Sequence, residues 1–421
     1  MITVAIHPVN FILALSLALE LSDKGLSSHH YQTAVISHAI AKRLGLPHGD
    51  IQVATCAALL HDIGAAASWD EKRHIVHFAQ DNRIFYHAEK GYQLLKDSAQ
   101  LGDLALPIRY HHDHFCGISL TGLQGEEIPL ISRILHLADR MSVLIRDDRH
   151  IFQQRHSIME QIEACSGTHF DPQLVKVIQE VGCHEKFWLD LSTSLYRSYF
   201  FKEIAAFGWL YFNLDDMVHM AELFATVIDA TSSYTAAHSR HVAAVSSYLA
   251  SLIGFSKGEI QLIRIAGLLH DLGKLAVPNQ ILDKPGKLTD EEYMLVKQHT
   301  YYTQRILETI DNFGMVAAWA SQHHETLDGS GYPYGLSGDY IHMGSRLIAV
   351  ADIFCALAED RPYRDPFSCE QIQAVFARMV EQGKLDNGLV AVLVKNIEQA
   401  REQISAIDNG NGELDISRRL V

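Results

Sequence analysis

Apolar positions along the chain recur at helical spacing. In "VAAVSSYLASLI", Val242, Val245, Leu249 and Leu252 fall at i, i+3, i+7 and i+10, one apolar face of a helix. "EIQLIRIAGLLHD" is apolar on most of its faces, which predicts a central buried helix ending in polar groups. "SVLI", "LIAVADIFCALAE" and "IQAVFARMV" continue the helical pattern, and Asn213–Ala230 predicts one long helix. Turn signals interrupt it at "DKPGKLT" and "DGSGYPYGLSGD". Near the start only "ITVAI" has strand character. The stripes themselves are core packing, so the expected fold class is all-α.

The pattern occurs twice. "HHYQTAVISHAIAKRLGLPHGDIQVATCAALLHDIG" (29–64) matches "HSRHVAAVSSYLASLIGFSKGEIQLIRIAGLLHDLG" (238–273) in register. His29 to His61 and His238 to His270 are both 32 positions, and Gly45 and Gly254 each lie 16 after the leading His. His87 to His111 and His299 to His323 are both 24; His112 to Asp139 is 27 against 28 for His324 to Asp352. So many matching intervals mean a duplicated unit. The organisation expected is a first domain over 1–195, a linker over 196–212 and a second domain over 213–421. The two repeats are expected to contact each other.

Bulk properties narrow the function. The chain has 421 residues, enough for two or three domains at roughly 100–200 residues each. A net charge of −15 disfavours wrapping a nucleic-acid polymer, which rewards many Lys/Arg–phosphate contacts, but permits a small anion held by metals and a few cations. The six Cys include no CxxC pair, which reads as a reduced, cytoplasmic chain. The apolar stretch Phe11–Leu19 is nine residues, short of the about 20 that span a membrane, so no membrane segment is expected. The 25 His stand out, because imidazole is the commonest metal ligand.

In the second repeat those His align with carboxylates: His238, His270, Asp271, His299, His323, His324 and Asp352. One His–Asp pair means little, since such pairs cap helices in many proteins. The set is informative. An Asp can bridge two cations with its two oxygens while imidazoles complete each shell, and mixed His/carboxylate sites suit Fe, Mn, Zn, Ni or Co. His270 and Asp271 inside "AGLLHDLG" would be costly to bury unless satisfied, and metal ligation removes that cost.

The ordered motifs "HDLGK", "DKPGKLTDEEYMLVKQH", "HHETLDGSGYPYGL", "RLIAVADIFCAL" and "DRPYR" resemble the HD-GYP phosphodiesterases, a branch of the HD metal-dependent phosphohydrolases that linearise cyclic dinucleotides. The resemblance covers about His238 to Leu393 and implies two tandem all-helical HD-type domains. It implies one metal on His238, His270, Asp271 and Asp352, and a second on Asp271, His299, His323 and His324. Asp271 and Lys274 would be catalytic, with Lys274 positioning the phosphate or protonating the leaving 3′ oxygen. Lys284, Lys287, Gly331, Tyr332, Pro333, Arg361 and Arg364 would bind the dinucleotide. Cyclic di-GMP is the expected substrate, with 3′,3′-cyclic GMP-AMP the alternative. A general HD nucleotidase and a non-catalytic signalling module are the rival readings; the intact "HDLGK" and Gly-Tyr-Pro speak against both.

Two positions depart from the family pattern. Cys355 stands where many relatives carry a second Asp, and Tyr234 where some carry a Glu that helps hold a third metal, which argues for two metals. The first repeat supplies His29, His61, Asp62, His87, His111, His112 and Asp139 as a further metal-binding set. However, Ala65 replaces the Lys, and Ile118, Ser119 and Leu120 fall near the Gly-Tyr-Pro position. This copy is expected to fold without turning over substrate, as a scaffold or a regulatory domain.

Overall fold

The computed structural model describes residues 6–21, 28–65, 84–119, 121–205, 212–230, 237–360 and 364–410. Every regular element among them is a helix, apart from isolated bridges at Ile6–Phe212 and Ser166–Phe170. None of the described helices is long and apolar enough to cross a membrane. Of "ITVAI", only Ile6 is described, and its carbonyl accepts from Phe212 N at 2.9 Å.

The chain divides into two compact units, one of residues 7–211 and one of residues 1–6 together with 212–421. Residues 196–205 of the expected linker are instead part of helix Ser194–Ala205 and belong to the first unit. The reason is apolar: Phe200 and Ile204 are fully buried, and Phe200 lies edge-on to Tyr31 at 5.8 Å.

In the second unit, helix Leu214–Asp229 matches the long helix read from the sequence. Asn213 caps it, accepting from Asp215 N and Asp216 N at 2.8 and 3.0 Å. Ser256 and Thr289 start helices Lys257–Leu269 and Asp290–Leu307 through capping boxes with Glu259 and Glu292. Each such cap stabilises a helix start by about 1 kcal/mol and sets its register. Lys257–Leu269 is the central helix, packed against Leu214–Asp229, His238–Leu252 and Gly314–Ser321. Its Leu262, Ile263, Ile265, Ala266, Leu268 and Leu269 are buried, so the helix carries "HD" from the core to the site.

The next turn presses on the helix Asp290–Leu307. A Cβ on Gly273 would stand 2.0 Å from the His299 carbonyl oxygen, so only glycine permits this approach. Gly64 meets the His87 carbonyl at the same 2.0 Å in the first unit. The duplication therefore preserves the contact that sets the HD pair beside the next histidine.

Candidate metal centres

The seven residues expected in the second repeat converge. His238 opens helix His238–Leu252, with Nε2 3.1 Å from Asp352 Oδ1 on helix Met343–Ala358. His270 follows the central helix, 3.2 Å through Nε2 from Asp271 Oδ2. His299 Nε2 lies 3.5 Å from Asp271 Oδ1 and 3.4 Å from His323 Nε2. The His323 and His324 rings are 4.1 Å apart. The two Asp271 oxygens thus face opposite imidazole groups, the geometry of a bridging carboxylate.

Three of the imidazoles share an orientation device. Nδ1 of His270, His299 and His323 lies 2.7 Å from the carbonyl three residues back, on Gly267, Val296 and Ala320. An Nδ1–H donating there leaves the Nε2 lone pair aimed into the site, as metal-bound histidines require. Burial holds His299 down to about 3 and His323 well below the ordinary imidazole range, so both are neutral at pH 7. Burial opposes the charge on Asp271, but His270 and Lys274 outweigh it and keep its pKa well below the carboxylate range. Buried neutral imidazoles around an ionised bridging carboxylate fit divalent transition metals.

His238 has a partner that the motif did not reveal. Its Nδ1 is 3.1 Å from both Glu359 oxygens. Glu359 also meets His241 Nδ1 at 2.7 Å, and His241 Nε2 meets Asp408 at 2.9 Å. Burial disfavours the His238 imidazolium, yet Glu359 and Asp352 overcome it and raise its pKa to about 10. Glu359 orients His238 as a carboxylate orients a metal-ligating histidine.

The expected catalytic and binding residues separate into two groups. Lys274 Nζ lies 2.5 Å from Asp271 Oδ2, placing its ammonium beside the clustered histidines. Tyr332 packs on His324 at 4.9 Å, and its N–H donates to the His324 carbonyl at 3.2 Å. Gly331 is required there, because a Cβ would stand 2.5 Å from Glu325 Cα, His324 O and Thr326 N. Pro333 follows in the same loop, which buried Glu325 holds by accepting from Tyr334 N and Leu336 N at 2.7 and 2.8 Å. Lys297, absent from the expected set, lies 5.1 Å over the Tyr332 ring and 4.8 Å over Tyr293. By contrast Lys284 pairs with Glu292, and Arg364 donates to Ala356 O with its guanidinium over Phe367. Lys287 is exposed. Arg361 and Tyr234 lie outside the described residues.

The first repeat gathers its own seven residues, all buried. His29 Nε2 is 3.1 Å from His61 Nε2 and 3.3 Å from Asp139 Oδ1. Asp62 lies 3.3 Å from His61 and 3.2 Å from His87. His87 Nε2 is 3.3 Å from His111 Nε2 and 3.0 Å from His112 Nε2. Neither Asp62 oxygen has a well-aligned hydrogen bond, although imidazole nitrogens crowd both at 3.2–3.6 Å, and a cation would satisfy the carboxylate fully. Two neighbours set this centre apart. His30 approaches Asp62 at 3.5 Å, where the second repeat has Ser239, and Arg140 donates to Asp139 Oδ2 through Nε and Nη2 at 2.9 and 2.7 Å. Ala65 is buried, with no side chain to reach a phosphate; Leu120 lies outside the described residues.

Comparison with known proteins agrees with this geometry. HD domain family profiles match residues 26–144 and 222–389. The chain is 30% identical over 389 residues to 3′3′-cGAMP-specific phosphodiesterase 1 of Vibrio cholerae, covering 88% of each. It is 39% identical over 257 residues to 3′3′-cGAMP-specific phosphodiesterase 3 of the same organism, covering 60% of this chain and 54% of that one. The crystal structure of a V. cholerae cyclic GMP-AMP-specific phosphodiesterase (V-cGAP3) superposes with a TM-score of 0.67 at 25% identity, covering 94% of this chain and 98% of that one. With two matched HD domains and a relative aligned along nearly its whole length, the chain belongs to the HD-GYP family of cyclic dinucleotide phosphodiesterases as a tandem-HD member.

Proposed function

We infer that the second repeat hydrolyses a 3′–5′ phosphodiester of a cyclic dinucleotide, using two divalent transition metals. The observation that carries this reading is Asp271, whose two oxygens face separate imidazole groups while Lys274 stands on the same carboxylate. Bound metals supply charge neutralisation at the phosphoryl group and an activated water. The chain's own residues do the rest. Lys274 donates to a phosphoryl oxygen or gives its proton to the departing 3′ oxygen as the water oxygen bonds to phosphorus. The Tyr332 face and the Lys297 ammonium offer a stacking and electrostatic surface to a base or phosphate. The working domain is 213–421.

The relative that aligns along 88% of this chain acts on 3′3′-cGAMP, whereas the cyclic di-GMP phosphodiesterases align over 26–40% of it. This supports 3′,3′-cyclic GMP-AMP as the preferred substrate, ahead of the cyclic di-GMP that the motifs suggested. In the first repeat, the Asp62 oxygens, without a well-aligned hydrogen bond, support metal binding, and Ala65 supports a role other than turnover.

The test is steady-state hydrolysis of both cyclic dinucleotides by full-length, metal-loaded protein. The expected result is turnover of both, with the larger kcat/KM for cyclic GMP-AMP. A fully metallated protein that cleaves neither contradicts the assignment.

A further inference from the structure

Beyond the two HD centres, the first repeat holds a third group of histidines. His114 follows the His111–His112 pair, His136 lies on helix Leu130–Val143 one turn before Asp139, and His169 precedes helix Pro172–Gly182. The backbone fixes two of them side by side: Phe115 N donates to His169 O at 3.1 Å and Cys116 N to Thr168 O at 2.9 Å. The His114 and His169 rings stack at 4.0 Å, and His136 lies 5.4 Å from His114. One ligating atom from each of the three falls within 4.8 Å of the others.

We propose that His114, His136 and His169 form a transition-metal site separate from both HD centres. The strongest support is a pair of stranded nitrogens. His114 Nδ1 and His136 Nε2 are buried with no hydrogen-bond partner, in side chains only 7% and 2% exposed. Burying a polar atom without a partner is unfavourable, and a metal ion would satisfy both atoms at once. His136 is also held in the required tautomer. Its Nδ1 lies 2.8 Å from the His111 carbonyl, so Nδ1–H donates there and the lone pair sits on the stranded Nε2.

The chemistry of the donors selects the metal class. With no carboxylate among the three, hard cations such as Mg²⁺ or Ca²⁺ are disfavoured, while imidazole suits Zn²⁺, Ni²⁺, Co²⁺ and Cu²⁺. Arg140 is the nearby cation that opposes a metal, and its guanidinium is already committed to Asp139. Three histidines leave a fourth position for water, and partly exposed His169 provides the solvent side. Tetrahedral zinc with Zn–N bonds of about 2.0–2.1 Å needs ligand atoms about 3.4 Å apart, so closure requires side-chain shifts on the order of an ångström.

The cluster is not a by-product of the HD fold. In the second repeat Leu327 N donates to Lys384 O as Phe115 N donates to His169 O, which pairs Lys384 with His169. The same register sets Thr326 against His114, and Ala349, three residues before Asp352, against His136. All three histidines are therefore particular to the first repeat. The site also adjoins the first HD centre, because His136 is tethered to the backbone of His111.

The experiment uses full-length protein, stripped with a chelator and reloaded with Zn²⁺ at a concentration that saturates its titration. Crystals grown from it are measured at the zinc edge. A peak of anomalous density within about 2.3 Å of the three imidazole nitrogens is expected. In parallel, His169→Gln and His114→Gln should each retain one zinc ion fewer per chain, with unchanged circular dichroism. No anomalous peak at the triad in the saturated crystals overturns the proposal. So does equal zinc content in wild type and both folded variants. The crystallographic arm does not depend on any variant folding.

Discussion

Replacing Lys274 with Ala separates the chemistry of the site from its assembly. The side chain is 23% exposed and its ammonium lies 2.5 Å from an Asp271 carboxylate that is 3% exposed. Two effects follow and differ in where they are felt. On the reaction, Lys274→Ala removes one charged donor from the transition state, worth roughly 10²–10³ in kcat, or about 2.7–4 kcal/mol. On the fold, it strands a buried carboxylate. The full cost of breaking a buried pair is about 3–5 kcal/mol. Solvent reaches Lys274, and His270 and His299 still flank Asp271, so about 1–2 kcal/mol is the appropriate scale here. Metal loading should shrink that second effect, because the cations neutralise the same carboxylate. An ammonium has no lone pair while protonated and cannot ligate, so metal content should not change. The assay combines steady-state kinetics, elemental analysis and thermal melts with and without chelator. The expected result is a large fall in kcat, unchanged metal content, and a lowered melting temperature mainly in the stripped protein. Metal lost in step with activity, or an undiminished kcat, would refute the role assigned to Lys274.

Other perturbations probe the same frame. Gly331→Ala places a Cβ against three backbone atoms at 2.5 Å, so the Tyr332 loop must shift; KM should rise tenfold or more, about 1.4 kcal/mol, with metal retained, and an unchanged KM would remove the loop from substrate binding. Metal-free protein should be most stable near neutral pH. His238 has a folded pKa of about 10, above its unfolded value near 6.5, so its contribution is complete below pH 6.5 and disappears as pH rises towards 10. His299, folded at about 3, works in the opposite sense: the unfolded chain binds its proton first, so stability falls as pH drops below about 6.5. Chemical denaturation of chelated protein across pH 4–10 checks both limbs, and Glu359→Gln should flatten the alkaline one; a monotonic profile would contradict the charge assignment. Finally, protein lacking His61, Asp62, His111 and His112, and also His114 and His169, should keep about two metals, both in the second repeat; a third at full occupancy would show that Tyr234 does not limit the count.

Much of this was readable before any coordinates. Matching intervals between histidines picked out both clusters of His and Asp that the fold brings together, because a duplicated helical fold that gathers side chains at one place must preserve their spacing. The long helix read over Asn213–Ala230 starts where Asn213 caps it, because a cap acts within a few positions of itself. The residues that escaped notice act over long range or occur in one repeat only. Glu359 is 121 positions from His238, and Asp408 is 167 from His241, pairings that no motif spacing encodes. His30 faces Asp62 where the other repeat has Ser239, and Arg140 sits where it has Ile353, so comparison of the repeats predicted neither. The linker expectation failed for a different reason. Without tertiary contacts, Phe200 and Ile204 read as scattered apolar residues, whereas both are buried in the first unit.

The central claim is that hydrolysis belongs to the second repeat while the first, though rich in ligands, does not perform it. Its most direct test compares two paired substitutions in full-length protein, His270→Ala with Asp271→Ala and His61→Ala with Asp62→Ala. Cyclic dinucleotide hydrolysis and metal content are measured on folded, metal-loaded samples. The second-repeat pair should abolish turnover by removing the bridging carboxylate, and the first-repeat pair should leave turnover measurable. A first-repeat variant that is folded, fully metallated in its second repeat and inactive would contradict the account, as would activity surviving without Asp271.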